Sequence, residues 1–85
     1  MGQAPALADR LSQDQVVELV NQGRIKPLAE LLEQHRERLL GRLIDLELEY
    51  EHGRLVYELE LIDKSGVVRD VLLDAQSGEW LGEDD

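Results

Sequence analysis

The chain has 85 residues, with 9 lysines and arginines against 19 aspartates and glutamates, a formal charge of -10 and no cysteine. This length suits one domain with one core, and the absence of cysteine excludes disulfides and thiolate metal sites. The negative charge would repel phosphate backbones and anionic lipid surfaces, so nucleic acid is not expected as a partner. No apolar run approaches the roughly 20 residues that cross a bilayer, so membrane insertion is not expected either.

The chain begins with a polar stretch that we predict to be a flexible leader over residues 1–11. Met1 and Gly2 stand before Gln3-Ala4-Pro5-Ala6, and this run is compatible with a mature amino terminus from which an export signal was removed.

Two short helices are predicted next. Ser12 and Gln15 match a capping box, and apolar residues then recur at helical spacing, so the first helix spans about residues 12–22. Pro27 is placed to be the first residue of the second helix, which we expect to run to about residue 38. The apolar stripe of this helix consists of Leu28, Leu31, Leu32, His35 and Leu39.

Beyond Gly41 the apolar period changes to two, which indicates a half-buried strand. One face of this strand carries the apolar residues Ile44, Leu46, Leu48 and Tyr50. The other face carries the acids Asp45, Glu47, Glu49 and Glu51. A hairpin with His52-Gly53 as its loop places every apolar residue opposite another apolar residue. The predicted pairs are Glu51 with Arg54, Tyr50 with Leu55, Leu48 with Tyr57, Leu46 with Leu59 and Ile44 with Leu61. A slip by one residue would set apolar side chains against glutamates, so the pattern specifies the register.

The remaining residues predict two more strands separated by turns. The predicted segments are a turn at 63–66, a strand at 67–74, a turn at 74–78, a strand at 79–81 and a mobile acidic tail at 82–85. In the third strand we favour Val71 and Leu73 as the inward pair over Val68 and Leu72, with a bulge near Val67 or Val68 deciding between the two parities.

These elements predict an α+β fold for a single domain over residues 12–81. Two amino-terminal helices pack on one face of a three- to four-stranded antiparallel meander. The outer face of the sheet then carries the acidic side chains, together with apolar surface from Leu43, Val56 and Ile62.

Several short motifs resemble those of the PepSY domain family. The motifs are Gly23-Arg24-Ile25-Lys26-Pro27-Leu28 between two short helices, Gly41-Arg42-Leu43-Ile44 before the alternating Leu and Glu, Val56-Tyr57-Glu58-Leu59, Asp63 with Gly66, and Asp74-Ala75 with Gly78-Glu79. The chain is similar to single-domain members of that family over about residues 12–81.

The resemblance implies a type of role. PepSY domains occur in the propeptides of secreted metallopeptidases, in membrane-attached bacterial proteins and as small exported proteins, and they are thought to inhibit or regulate through protein contacts. It therefore implies a free-standing, periplasmic or secreted bacterial module. Its partner would be another protein, such as a peptidase or a membrane-bound sensor. We expect no cofactor.

The outer sheet face is the main candidate for a binding surface. The predicted register sets Glu47 opposite Glu58 and Asp45 opposite Glu60, and directly opposed like charges destabilise a sheet. Such a face is typical of a solvated surface that keeps a protein soluble, but it also suits a basic protein surface or a divalent cation. The candidate protein-binding residues are Asp45, Glu47, Glu49, Val56, Glu58 and Glu60, and the candidate metal ligands are Asp45, Glu47, Glu58 and Glu60.

No catalytic set accompanies this face, so we do not expect an enzyme. The serines in the turns have no histidine in a relay position, and the carboxylates project into water rather than into a cleft. His35 lies on an apolar stripe and His52 in a turn, so neither has a second ligand at metal spacing. Tyr57 and Trp80 are expected to complete the core.

Three hypotheses for function follow. The leading one is a non-enzymatic extracytoplasmic regulator, such as a peptidase inhibitor, that uses the acidic face or a sheet edge against a basic or extended partner. The second is a sensor of divalent cations such as calcium, and the third is a structural module without autonomous activity. We expect a monomer, or a weak homodimer through a sheet edge, because pairing two outer faces would bring acids together.

Overall fold

The computed structural model describes residues 9–84, which form two helices and a five-stranded antiparallel sheet. The elements are β1 (Asp9–Arg10), α1 (Gln13–Asn21), α2 (Leu28–Gln34), β2 (Arg42–Glu51), β3 (Arg54–Ile62), β4 (Val68–Asp74) and β5 (Trp80–Asp84). The strands lie side by side in chain order, so the sheet is a meander and the predicted α+β fold is confirmed. Neither of the two described helices combines the length and the apolar character of a membrane span.

The ordered sheet reaches past both limits of the predicted domain. The two-residue strand β1 lies in the predicted leader and pairs with β2, with Asp9 opposite Tyr50 and Arg10 opposite Glu49. At the other end, β5 continues to Asp84, within the predicted tail. Residues 1–8 and 85 lie outside the described residues.

The helices begin close to their predicted starts, but α2 is shorter than predicted. The Ser12 amide donates to Gln15 Oε1 at 2.8 Å and the Gln15 amide donates to Ser12 Oγ at 3.2 Å, so the capping box is confirmed. Pro27 caps α2 with extended backbone and is not its first helical residue. The α-helix ends at Gln34 instead of residue 38. Beyond it the amides of Arg36 and Arg38 bond to carbonyls three residues back, as in turns, and the His35 ring bonds to the Gly78 carbonyl.

The hairpin register is correct except at its far end. The confirmed pairs are Glu51 with Arg54, Tyr50 with Leu55, Leu48 with Tyr57 and Leu46 with Leu59. The predicted pairing of Ile44 with Leu61 is wrong, because a bulge between Leu43 and Asp45 sets Leu43 opposite Leu61. Leu43 therefore packs against the core and adds no apolar surface to the outer face, whereas Ile44 is 45% exposed.

In the third long strand, β4, the residues predicted to point inward do face the core. Val71 and Leu73 are fully buried, and β4 pairs with β3 from Val68 to Asp74 without interruption. The irregularity of this strand lies on its other side, between Leu72 and Leu73 against β5, and not near Val67 or Val68.

The linker between the helices is tied to the sheet by hydrogen bonds. The Tyr57 hydroxyl donates to the Lys26 carbonyl at 3.0 Å, and the Lys26 amide donates to the Ala75 carbonyl at 2.8 Å. Ile25 beside it is buried in the core together with Leu31. Tyr57 is thus a core residue, as predicted, and its polar end also fixes where the helices sit.

The turn between β4 and β5 is organised by Asp74. Its Oδ1 accepts hydrogen bonds from the amides of Gln76 at 2.8 Å and Ser77 at 2.9 Å, and its Oδ2 lies 3.5 Å from Arg54 Nε. Burial acts to raise the pKa of Asp74, but the hydrogen bonds from Ser77 and Gln76 and the charge of Arg54 outweigh it, so the pKa is lowered.

The same turn approaches α2 so closely that residue 78 has to be small. Gly78 has φ +84°, and a Cβ there would lie 2.5 Å from Gln34 Oε1 and 2.8 Å from Leu31 Cδ2. Gly66 has a similar φ of +86° but has open space around it. The two glycines therefore separate the effect of backbone conformation from that of packing.

We predict that Gly78→Ala destabilises the domain much more than Gly66→Ala does. The left-handed backbone alone costs about 1 kcal/mol, and the overlap with Leu31 raises the loss for Gly78→Ala to about 2–4 kcal/mol. Urea unfolding of both variants measures the difference. Equal losses would contradict the close contact between this turn and α2.

Candidate functional site

The outer face of the sheet gathers carboxylates from three adjacent strands. We call them the acidic cluster; its members are Asp45, Glu47 and Glu49 from β2, Glu58 and Glu60 from β3, and Asp70 from β4. Strand alternation explains the arrangement, because the residues that alternate with these acids along the three strands lie on the core face, as Leu48, Leu59 and Val71 do.

The cluster contains the like-charge pairs that the sequence predicted, and one more. Glu47 lies opposite Glu58 and Asp45 lies opposite Glu60. Across the next ladder Asp70 lies opposite Glu60, so three acids form one row over β2, β3 and β4. These side chains surround a shallow depression of about 140 Å³. Asp70 was missed as a site residue. The favoured inward parity of Val71 and Leu73 turns it outward, but its position opposite Glu60 depends on the β3–β4 register, which the sequence leaves open.

Crowding changes the protonation of the cluster. Burial, followed by hydrogen bonds to Glu47 and Glu58 and by their charges, raises the pKa of Glu49 to about 7. Loss of hydration, followed by the charges of Asp70 and Asp45, also raises the pKa of Glu60. Near neutral pH the cluster therefore holds a proton that an isolated glutamate would have lost.

Arg10 supplies positive charge to the cluster from β1. Its Nη2 lies 2.7 Å from Glu47 Oε2, and the Arg10 side chain is 69% exposed. Among residues 9–84, no other basic side chain forms an ion pair with a cluster member. The face is therefore left with a large excess of negative charge.

Val56 does not contribute to this surface, although its parity places it on the outer face. It is 2% exposed and lies between Glu49 and Asp74 of the neighbouring strands. Of the six residues predicted to bind a protein, the structure thus brings together the five acids and buries the valine.

Part of the predicted metal-ligand set converges. Glu47, Glu49 and Glu58 each place a carboxylate oxygen within 4.8 Å of the others. Glu47 and Glu58 belong to the predicted set, whereas Asp45 and Glu60 of that set lie outside this group. Calcium takes six to eight oxygens, so three carboxylates alone would leave much of the coordination shell to water.

A separate group of side chains holds the turns that follow α2 against β5. The Arg38 guanidinium lies 3.7 Å from the centre of the Trp80 ring, and the His35 ring meets the same indole edge-on at 5.6 Å between centroids. Arg69 donates to the Arg38 carbonyl at 2.8 Å and to Glu83 at 2.9 Å. Trp80 packs against the core, as predicted. The contacts above give both His35 and Trp80 a structural role.

Comparison with known proteins identifies one family. A family model described as peptidase propeptide and YPEB domain, PepSY, matches residues 10–84. No curated protein and no solved structure matches the chain. The matched region includes the acidic cluster and runs from β1 to β5.

We predict that Glu49→Gln stabilises the protein at pH 8 and has little effect at pH 4. The folded-state pKa of about 7 lies above the 4.5 of an ordinary glutamate, so the folded state holds this proton to higher pH than the unfolded chain does. The free energy of unfolding therefore falls as the pH rises from about 4.5 to 7, and glutamine removes this loss. Because Glu49 is only partly buried, screening by solvent limits the gain to about 0.5 kcal/mol.

Urea unfolding at the two pH values measures this effect, with Glu37→Gln as the control because Glu37 is exposed and lies outside the cluster. An equal effect of Glu49→Gln at both pH values, or a gain that Glu37→Gln reproduces, would contradict the raised pKa.

Proposed function

The chain belongs to the PepSY family, and we propose that it is a non-enzymatic extracytoplasmic regulator that binds another protein through the acidic cluster. PepSY domains are associated with peptidase propeptides and with regulatory modules, and they are generally non-catalytic and typically extracytoplasmic. Inhibition or modulation of a peptidase is the form of regulation that we propose for this chain.

The observation that supports this proposal is the opposition of like charges on one face. Solubility requires exposed charge, but it does not require Glu47 to face Glu58 or Glu60 to lie between Asp45 and Asp70. Each opposed pair costs the isolated domain some tenths of a kcal/mol. A partner with lysines or arginines at this face would remove the repulsion when it binds.

Electrostatic recognition of this kind has a recognisable dependence on salt. Exposed charges attract over about 10 Å at 0.1 M salt, and the attraction shortens as salt is added. With a charge of -10 on 85 residues, the domain would meet a basic partner faster at low ionic strength. Association rates that fall with salt are therefore part of the proposal.

We predict that a double variant, Glu58→Gln with Glu60→Gln, binds the partner more weakly while its fold becomes no less stable. Neutralising the two acids of β3 relieves repulsion within the domain and removes attraction for a basic surface. Secreted metallopeptidases from the same source are the partners to test, by affinity capture and by inhibition of peptidase activity. Melting temperature reports on the fold.

The matched control replaces Glu33 and Glu37 by glutamine, which removes the same charge from exposed positions at and just after the end of α2. An equal loss of binding in both double variants would show that net charge acts without the cluster. If the wild-type domain neither captures nor slows any of these peptidases, the inhibitor proposal fails and the structural-module hypothesis becomes preferable.

The cation-sensor hypothesis stays a prediction with a separate test. It draws on the approach of Glu47, Glu49 and Glu58 to within 4.8 Å. It predicts that calcium or magnesium releases or absorbs heat in calorimetry and raises the melting temperature of the wild-type domain but not of Glu49→Gln. The absence of both effects would overturn this hypothesis without affecting the protein-binding one.

A further inference from the structure

Strand β2 has an edge that the rest of the described chain covers only in part. Strand β1 pairs with Tyr50 and Glu49, and the Leu11 amide donates to the Leu48 carbonyl at 2.9 Å. The chain then leaves the sheet, because Ser12 caps α1. Within residues 9–84, nothing pairs with β2 between Arg42 and Glu47 on the side away from β3.

An apolar groove runs beside this open edge. It has a volume of about 400 Å³ between α1 and β2, and Leu11, Val16 and Leu46 contribute to its lining. Leu46 points to the core face but remains 36% exposed, because the helices do not reach over it. Apolar side chains of a strand laid along β2 would enter this groove.

The opposite face of the same edge is acidic. Asp45 and Glu47 border the groove and also belong to the acidic cluster. Because side chains of a strand alternate between two faces, a strand added here would present every second residue to the groove and the others to Asp45 and Glu47. Apolar and basic residues in alternation complement both faces.

The domain's own β1 shows this pattern next to the open stretch. Arg10 reaches the acidic face and pairs with Glu47, whereas the next residue, Leu11, packs against the core. We propose that the open edge of β2 at Asp45–Glu47 binds an extended segment of a partner protein in which apolar and basic residues alternate. This inference rests on the proposed function and names its mode of recognition.

Local geometry limits where the segment pairs. The bulge at Leu43–Asp45 interrupts the strand, so pairing is confined to the residues after it. In the domain alone, the Leu46 amide donates a hydrogen bond to Asp45 Oδ1 at 2.9 Å. A carbonyl of the incoming segment would replace this bond and free the Asp45 carboxylate for a basic side chain.

A second copy of the chain fits this edge poorly. Two β2 edges paired with each other would place the acidic faces of both copies on the same side of the joint sheet. Asp45 and Glu47 of one copy would then lie near the same acids of the other, which repel. A partner carrying basic residues is the favoured occupant.

Two synthetic peptides of identical composition test the proposal with the full chain. One alternates, Lys-Val-Lys-Val-Lys-Val-Lys, and the other is a block isomer, Lys-Lys-Val-Val-Val-Lys-Lys, both with blocked termini. NMR titration should show the alternating peptide binding about tenfold more tightly, with amide shifts centred on Asp45–Glu47. Methylating alternate backbone nitrogens of that peptide should abolish the preference, because it removes the donors that pair with an edge.

A substitution in the groove provides the second arm. Leu46→Lys should reduce the affinity of the alternating peptide at least about tenfold, because it places a cation where valine would enter. Val17→Lys is the matched control, because Val17 is 53% exposed on α1 and the substitution adds the same charge away from the groove. The NMR spectrum of each free variant checks that it is folded.

Equal affinity for the two peptides would overturn the proposal, as would shifts centred on β5 or an edge-centred self-association without peptide. Failure of the two proposals can be told apart. In one outcome, capture of a peptidase depends on Glu58 and Glu60 and yet is unchanged by Leu46→Lys. That result would support the regulator proposal and overturn the proposal that the partner binds at the β2 edge.

Discussion

Side chains of a strand alternate between two faces, so the register that buries Leu48 against Tyr57 also sets Glu47 against Glu58. The stabilising contact and the repulsive one are therefore inseparable in this hairpin. Moving the strands by one residue would separate the acids but would expose the apolar side chains. Because burial of a leucine-sized side chain contributes about 1.5–3 kcal/mol and an opposed pair costs some tenths, the core determines the register.

The helices are held on the sheet by hydrogen bonds as well as by apolar packing. The Tyr57 hydroxyl and the Ala75 carbonyl both bond to the backbone of Lys26, and Gly78 lets the neighbouring turn approach α2. Asp74 holds that turn in shape by accepting two backbone hydrogen bonds. The Asp74-Ala75 and Gly78 motif thus has a structural reason in this chain, and it lies away from the acidic cluster.

Much of this fold could be predicted because hydrophobic periodicity and turn residues act locally. The capping box at Ser12 and the hairpin loop at His52-Gly53 are short-range signals, and the hairpin register follows from matching two apolar patterns. The bulge at Ile44 could not be predicted in this way, because Leu43 and Ile44 are both apolar and either one satisfies the pattern.

Other differences arise where contacts distant in sequence decide the conformation. Residue His35 fits a helical stripe, yet its bond to Gly78 and its contact with Trp80 accompany the end of α2. A two-residue strand such as β1 has no periodicity to detect. The acids of the β2–β3 hairpin were predicted together because one register relates them, whereas Asp70 required the register of a second ladder.

The proton held near Glu49 links recognition to acidity. If a basic partner binds the cluster as proposed, its lysine or arginine would stabilise the ionised carboxylate, lower the pKa of Glu49 from about 7 and release the proton to solvent. By thermodynamic reciprocity, affinity for a basic partner then rises as the solution passes from mildly acidic to mildly alkaline. In an acidifying environment the domain would loosen its hold on such a partner without any change of fold.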